Sequence, residues 1–138
     1  MQRIVVGVDG SDPSLHALGF AADLLAHTED AELIVVFVRY AYLFLPPHVA
    51  EDIYVDFLDE AEREVRDRVQ TILMDRELRW KVIVREGEPA EVLCEVAAET
   101  GASVVVAGRR GWSPVRELLL GSVSNRLAHR SSCPVVLV

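Results

Sequence analysis

The sequence predicts an α/β protein built as a three-layer sandwich, in which helices cover both faces of a five-stranded parallel sheet. Short runs rich in Val and Ile alternate with longer segments whose apolar residues recur every three or four positions. This alternation favours a parallel sheet with right-handed crossovers. The uninterrupted apolar runs are typical of strands that are buried on both faces. With 138 residues, the chain is expected to form one domain over residues 1–138.

Nine elements follow from the pattern, in the order β-α-β-α-β-α-β-α-β. The predicted strands occupy residues 3–8, 33–38, 80–85, 103–107 and 134–138. The predicted helices occupy residues 13–27, 51–77, 89–99 and 121–130. Pro13 and Pro89 suit first helical turns, where a missing N–H costs nothing, and Gly101 is expected to end the third helix. Pro46 and Pro47 exclude regular structure between residues 41 and 50.

The net charge of −8 bears on the partners that the chain could have. An acidic surface disfavours duplex nucleic acid and anionic membranes, because phosphate dominates both. The chain starts directly in a strand without a basic leader, and no apolar run approaches the roughly 20 residues that span a bilayer. We therefore expect a cytoplasmic protein with neither nucleic acid nor membrane as partner. Arg109, Arg110 and Arg116 nevertheless form one basic locality that suits a small phosphate ligand.

The remaining reactive residues carry little chemical signal. Cys94 and Cys133 belong to no CxxC motif, and we expect both to be small buried hydrophobes rather than a disulfide. Glu86 and Glu88 flank a turn and are expected to be solvated. Neither an acid–base pair nor a nucleophile beside a base is visible, so an enzyme is not predicted. The four histidines show no metal-ligand spacing; they are His16, His27, His48 and His129.

The loop after the fourth strand carries the most informative motif, Gly108-x2-Gly111-x9-Gly121-Ser122. In an open parallel sheet, ligands bind beyond the carboxyl ends of the strands, at the topological switch point. Glycines let backbone N–H groups approach a phosphate closely, and the helix that begins here offers a positive end to an anion. The alternative is that the glycines merely end a strand and that Ser122 is only an N-cap.

Two other features accompany this motif. The first strand ends in Asp9-Gly10-Ser11, which would meet the loop at the same sheet edge. Arg109 or Arg110 could add a charge-assisted contact to a phosphate. Other nucleotide and phosphoryl folds are excluded, because the chain lacks the GxxxxGK[ST] and GxGxxG motifs and a phospho-acceptor Asp after its third strand.

With these motifs the chain resembles the universal stress protein family over all 138 residues. The resemblance rests on the opening Ile4–Ser11, on the glycine motif continued by Val123 and Ser124, and on the closing Cys133–Val138. The paired glycines with Gly-Ser are similar to the ATP-binding branch of the family. The resemblance implies a Rossmann-like fold of the adenine nucleotide alpha-hydrolase-like type.

The resemblance also implies a set of ligand-binding residues. Asp9 would lie near the ribose or the metal–phosphate end, and the backbone at Val38 would meet the adenine. Mg²⁺ is expected to be carried by ATP, with Asp9 nearby, rather than held in a protein metal site. The residues assigned to the nucleotide are Asp9, Gly10, Ser11, Val38, Gly108, Arg109, Arg110, Gly111, Gly121, Ser122, Val123 and Ser124.

The family resemblance further implies a homodimer through the last strand, residues 134–138. An apolar terminal strand of this kind would be an aggregation hazard if left unpaired. The implied function is an ATP-dependent sensor or signalling module in stress response, with an unidentified protein partner. The alternative is a slow ATPase or a self-phosphorylating protein. The apolar segment 41–50 is interpreted as core packing or a dimer contact, with a cover over the adenine as the alternative.

Overall fold

A computed structural model describes residues 1–39, 51–109 and 122–138, with only the helical backbone described for residues 51–54 and 122. The strands are β1 (Gln2–Val8), β2 (Ala31–Arg39), β3 (Arg79–Glu86), β4 (Val104–Ala107) and β5 (Val135–Leu137). The helices are α1 (Asp12–Leu25), α2 (Glu51–Leu73), α3 (Pro89–Thr100) and α4 (Ser122–Arg130). The predicted order of elements is confirmed.

The five strands form one parallel sheet in the order β3-β2-β1-β4-β5. The chain builds outward from β1 to β3 and then returns to the other side of β1 to form β4 and β5. The strand order therefore reverses between β1 and β4. This position is the topological switch point, beyond whose carboxyl ends ligands of open α/β sheets bind.

Apolar side chains pack on both faces of the sheet, as the Val and Ile runs predict. On one face, Ile4, Val6 and Val8 of β1 join a buried cluster with residues of α1 and α2. On the other face, Val5 joins a cluster with residues of α3 and α4. Alternate residues of one strand thus serve two cores, because successive side chains point to opposite faces.

Two predicted helix ends are corrected by the structure. The second helix was expected to reach residue 77, but α2 ends at Leu73. The N–H of Arg76 donates to the Leu73 carbonyl, three residues back, in the turn that follows the helix, and its guanidinium pairs with Asp23 of α1. The first helix ends at Leu25 rather than 27, because the Ala26 N–H bonds the Asp23 carbonyl in a tighter turn.

The strands and the third helix need smaller adjustments. Ser103, predicted to open the fourth strand, lies outside β4, and its N–H donates to the Arg3 carbonyl at 2.9 Å. Pro134 and Val138 likewise flank β5 rather than belong to it. Gly101 ends α3 as predicted, in the left-handed conformation with φ of 66°. Residues 41–50, whose role the sequence left open, lie outside the described residues.

Candidate functional site

The carboxyl ends of β1 and β4 lie side by side at the switch point. The two strands pair in parallel, with Val6 opposite Val106. Continued by three residues, this register places the turn at Asp9 beside Arg109. The structure therefore brings together Asp9, Gly10 and Ser11 on one wall of the candidate site with Gly108 and Arg109 on the other.

The wall on the β1 side is a turn that is closed by its own hydrogen bonds. The Asp9 carboxylate accepts, through Oδ1, from the backbone N–H of Ser11 at 2.8 Å and from the Ser11 hydroxyl. The Asp9 N–H donates to Oγ of the fully buried Ser14 at 3.2 Å. Because Oδ1 is engaged in the turn, a ligand of the Asp9 carboxylate would meet the other oxygen, Oδ2.

Gly10 fixes how this turn sits against α2. Its φ of +86° lies in the left-handed region that favours glycine, and a Cβ at this position would lie 3.2 Å from Cγ2 of Val65. In addition, Arg68 Nη1 donates to the Gly10 carbonyl at 3.1 Å. The turn is therefore held by α2 as well as by its own hydrogen bonds.

The wall on the β4 side is anchored by Ser124 of α4. Its hydroxyl donates to the Gly108 carbonyl at 2.6 Å, and both residues are buried. The Arg109 N–H donates to the Val138 carbonyl at 2.9 Å, whereas the Arg109 side chain is exposed. The backbone at the end of β4 is thus fixed, while one cationic side chain stays accessible.

Two predicted site residues of α4 face the interior. The Val123 side chain lies in the apolar cluster under α3 and α4, and the Ser124 hydroxyl is bonded to the Gly108 carbonyl. Val38, at the end of β2, is also buried in that cluster. These three residues would therefore meet a ligand through backbone groups rather than through side chains.

The helix N-termini at this sheet edge differ in charge. Asp12 lies in the first turn of α1, which follows the N-cap Ser11. At α3 the carboxylate of Glu88 accepts from the N–H groups of Ala90 and Glu91, at 3.2 and 2.9 Å. By contrast, the first turn of α4 contains no acidic residue. The positive end of α4 is therefore not neutralised within its own first turn.

Sequence reasoning missed three charged residues near this edge. Glu88 was expected to be solvated, but its side chain is only 18% exposed and pairs with Arg126 of α4 at 3.1 Å. Arg39, the last residue of β2, pairs through Nη1 with Asp59 at 3.1 Å and Glu62 at 3.6 Å. Its position at the carboxyl end of a buried strand is the signal that could have identified Arg39. The sequence around Arg126 does not indicate that this residue pairs with Glu88.

The rest of the predicted site falls outside the described residues, namely Arg110, Gly111 and Gly121. Ser122 is described only as the first residue of α4. Among the residues that the structure does describe, no three His, Cys, Asp or Glu side chains are grouped as metal ligands. In the same part of the chain, no helix is both long and apolar enough to cross a bilayer.

Comparison with known proteins bears on both fold and family. A sequence model of the universal stress protein family matches residues 1–138. The universal stress protein YxiE of Bacillus subtilis (strain 168) is 34% identical over 145 residues, covering 99% of this chain and 97% of YxiE.

Solved structures show the same architecture. A universal stress protein in complex with cAMP is 30% identical, with a TM-score of 0.70 and coverage of 99% of this chain and 95% of that one. UspA from Lactobacillus plantarum is 21% identical, with a TM-score of 0.81 and coverage of 99% and 97%. The predicted α/β fold is confirmed.

Proposed function

The chain belongs to the universal stress protein family, and we propose that it binds an adenine nucleotide, ATP with Mg²⁺, beyond the carboxyl ends of β1 and β4. The observation that carries the proposal is the charge pattern of the helix N-termini. Within the described residues, α1 and α3 carry carboxylates at their starts, whereas α4 begins without one and lies beside the end of β4. An anion is stabilised at such a helix end.

The proposed pose follows the two walls of the site. The phosphates lie against the backbone at Gly108 and Arg109 and against the start of α4 at Ser122, with the glycine motif of the intervening loop completing the cradle. The adenine lies beyond the backbone of Val38. Oδ2 of Asp9 faces the ribose or the Mg²⁺ that the phosphates carry. The family member solved with cAMP supports an adenine nucleotide as the ligand class.

We expect the nucleotide to serve sensing, with occupancy altering a dimer or partner surface in a cytoplasmic stress response. Support for the dimer comes from β5, an edge strand whose residues Val135 to Leu137 are each half-buried. An apolar edge of this kind is a template for pairing with a second copy. Mass measurement of the purified protein tests this part, and a monomer at micromolar concentration would contradict it.

Self-phosphorylation is the alternative function, and one contact favours it. The Ser11 hydroxyl donates to the Asp9 carboxylate, which is a hydroxyl beside a base at the edge where the phosphates are proposed to lie. Incubation with ATP labelled on the γ-phosphate separates the two functions. Covalent label on the wild-type protein that is absent from Ser11→Ala would favour phosphoryl transfer. Binding of ATP with neither covalent labelling of the protein nor hydrolysis of the ATP would favour sensing.

Thermal unfolding with and without Mg-ATP tests the proposed site. At a ligand concentration about 100 times Kd, binding adds about 2.7 kcal/mol to the free energy of unfolding. The unfolding midpoint of the wild type should therefore rise by several degrees. Acid extraction of a separate sample shows beforehand whether the purified protein already carries nucleotide from its host.

Three variants separate loss of the site from loss of the fold. Gly121→Val and Gly108→Val should lose the ATP-dependent shift, because a side chain blocks the approach of backbone to phosphate. Gly19→Val is the matched control, since Gly19 lies in α1 with open space where its Cβ would be. It should keep the full shift. A normal shift in Gly121→Val would show that the loop is not the phosphate site.

A further inference from the structure

Two ion pairs cross the seam between α3 and α4 at regular spacing. Arg126 Nη1 lies 3.1 Å from Glu88 Oε1, and Arg130 Nη1 lies 3.4 Å from Glu91 Oε1. The partners advance by three residues along α3 and by four along α4, which is close to one helical turn on each helix. The two helices are therefore aligned turn against turn along this seam.

The two cysteines lie one step beyond these ion pairs, on α3 and just past the end of α4. Cys94 follows Glu91 by three residues on α3, and Cys133 follows Arg130 by three residues, in the turn that leads from α4 into β5. Both side chains are half-buried and pack against one apolar cluster, the one beneath α3 and α4. Cys94 and Cys133 thus share one environment although 39 positions separate them in the sequence.

The electrostatics of Cys94 agree with this proximity. Burial raises the pKa of the Cys94 thiol, and the neighbouring sulfur of Cys133 raises that pKa further. Both effects disfavour the thiolate form of Cys94.

In the described part of the chain, the side chain of Ser131 is a hydrogen-bonding partner of Cys133. Ser131 Oγ lies 3.6 Å from Cys133 Sγ, and it also accepts from the Cys133 N–H at 3.3 Å. The same hydroxyl now donates to the Cys133 carbonyl at 2.8 Å. Because either atom of the Ser131 Oγ–Cys133 Sγ pair can be the donor, the hydroxyl is placed to donate to the sulfur.

We propose that Cys94 and Cys133 form a redox pair, in which a peroxide converts the two thiols into an intramolecular disulfide. The Cys133 thiolate attacks one peroxide oxygen, the O–O bond breaks, and a sulfenic acid forms while hydroxide leaves and is protonated to water. Cys94 then attacks that sulfur as a thiolate, and the S–O bond breaks as a second water leaves. In total, two thiols and one H₂O₂ give one disulfide and two H₂O.

This disulfide would tie α3 to the chain segment that enters β5. The segment is otherwise attached through the Ser131 turn and through the parallel pairing of β5 with β4. The oxidised pair would therefore restrain the start of the edge strand. Neither cysteine belongs to the proposed nucleotide site.

Peroxide titration of the reduced, full-length protein tests the proposal. Free thiols are counted with a maleimide reagent, and intact mass and peptide mapping follow. In the wild type we expect both thiols to disappear together, with a mass loss of two hydrogens, a linked peptide containing Cys94 and Cys133, and full recovery with dithiothreitol. In Cys94→Ser, the remaining Cys133 should gain oxygen atoms or form disulfide-linked dimers.

Ser131→Ala separates the positioning role of the hydroxyl from a structural role. It should slow the first oxidation several-fold at neutral pH, with the same linked product at the end, and Ser131→Thr should restore the rate. Unfolding curves of each variant establish that it is folded before oxidation. Independent oxidation of the two wild-type thiols, or links only between chains, would overturn the proposal.

Discussion

The buried hydrogen bond from Ser124 to the Gly108 carbonyl should contribute measurably to stability. Ser124→Ala removes the donor and leaves a buried carbonyl without it, which costs about 1–3 kcal/mol. Alanine is the better helix former, and this offsets up to about 0.5 kcal/mol in α4. We therefore expect Ser124→Ala to lower the free energy of unfolding by about 0.5–3 kcal/mol.

Ser103→Ala is the matched control for this prediction. The Ser103 hydroxyl also donates to a backbone carbonyl, that of Arg3, at 3.0 Å, but this bond is exposed. In the variant, the Arg3 carbonyl still accepts a hydrogen bond from the backbone N–H of residue 103, because the substitution does not change that donor. Water can replace the lost hydroxyl, so the cost should stay within about 0.5 kcal/mol.

Urea unfolding followed by circular dichroism measures both variants against the wild type. Unchanged slopes with a lower midpoint for Ser124→Ala alone are the expected result. Equal losses in the two variants would refute the reasoning, because burial of the carbonyl would then have no energetic consequence. The same variant should also weaken Mg-ATP binding, since Ser124 holds the start of α4 against the end of β4.

Two further predictions concern a turn and an ion pair. Gly10→Ala should cost at least about 1 kcal/mol because of its positive φ and the tight approach to Val65, whereas Gly19→Ala should stabilise α1 by about 0.5–1 kcal/mol; urea unfolding compares them, and equal effects would contradict this. The hydrogen bonds from Arg85 lower the pKa of Glu99, so stability from this pair is present above the unfolded pKa, about 4.3, and declines below it. Glu99→Gln should flatten that acid decline, and an unchanged slope would count against it.

The fold could be predicted from the sequence because each element carries its own local signal. The buried strands are visible as Val and Ile runs, and Pro89 and Gly101 mark the two ends of α3. The end of α2 could not be predicted, because the turn that follows it places Arg76 against Asp23, a residue of α1 that is distant in sequence. Helical periodicity contains no information about such a contact.

The positions of the candidate site residues were predictable only in part, for the same reason. Asp9 and Gly108 could be identified because each directly follows a buried strand, and the structure places both at the switch point. The pairing of Glu88 with Arg126 depends on how α3 packs against α4, and local charge did not indicate it. The same holds for Cys94 and Cys133, which pack against one apolar cluster although they are distant in sequence.

The unequal pairing of β1 with its two neighbours has a mechanical consequence. Strand β1 pairs with β2 from Gln2 to Val8, but with β4 only from Ile4 to Val6. The short β1–β4 seam is thus where β4, α4 and β5 would detach first as a unit in native-state hydrogen exchange. A nucleotide that contacts both β1 and β4 would oppose the opening of that seam. Ligand binding would then slow hydrogen exchange across the whole sheet.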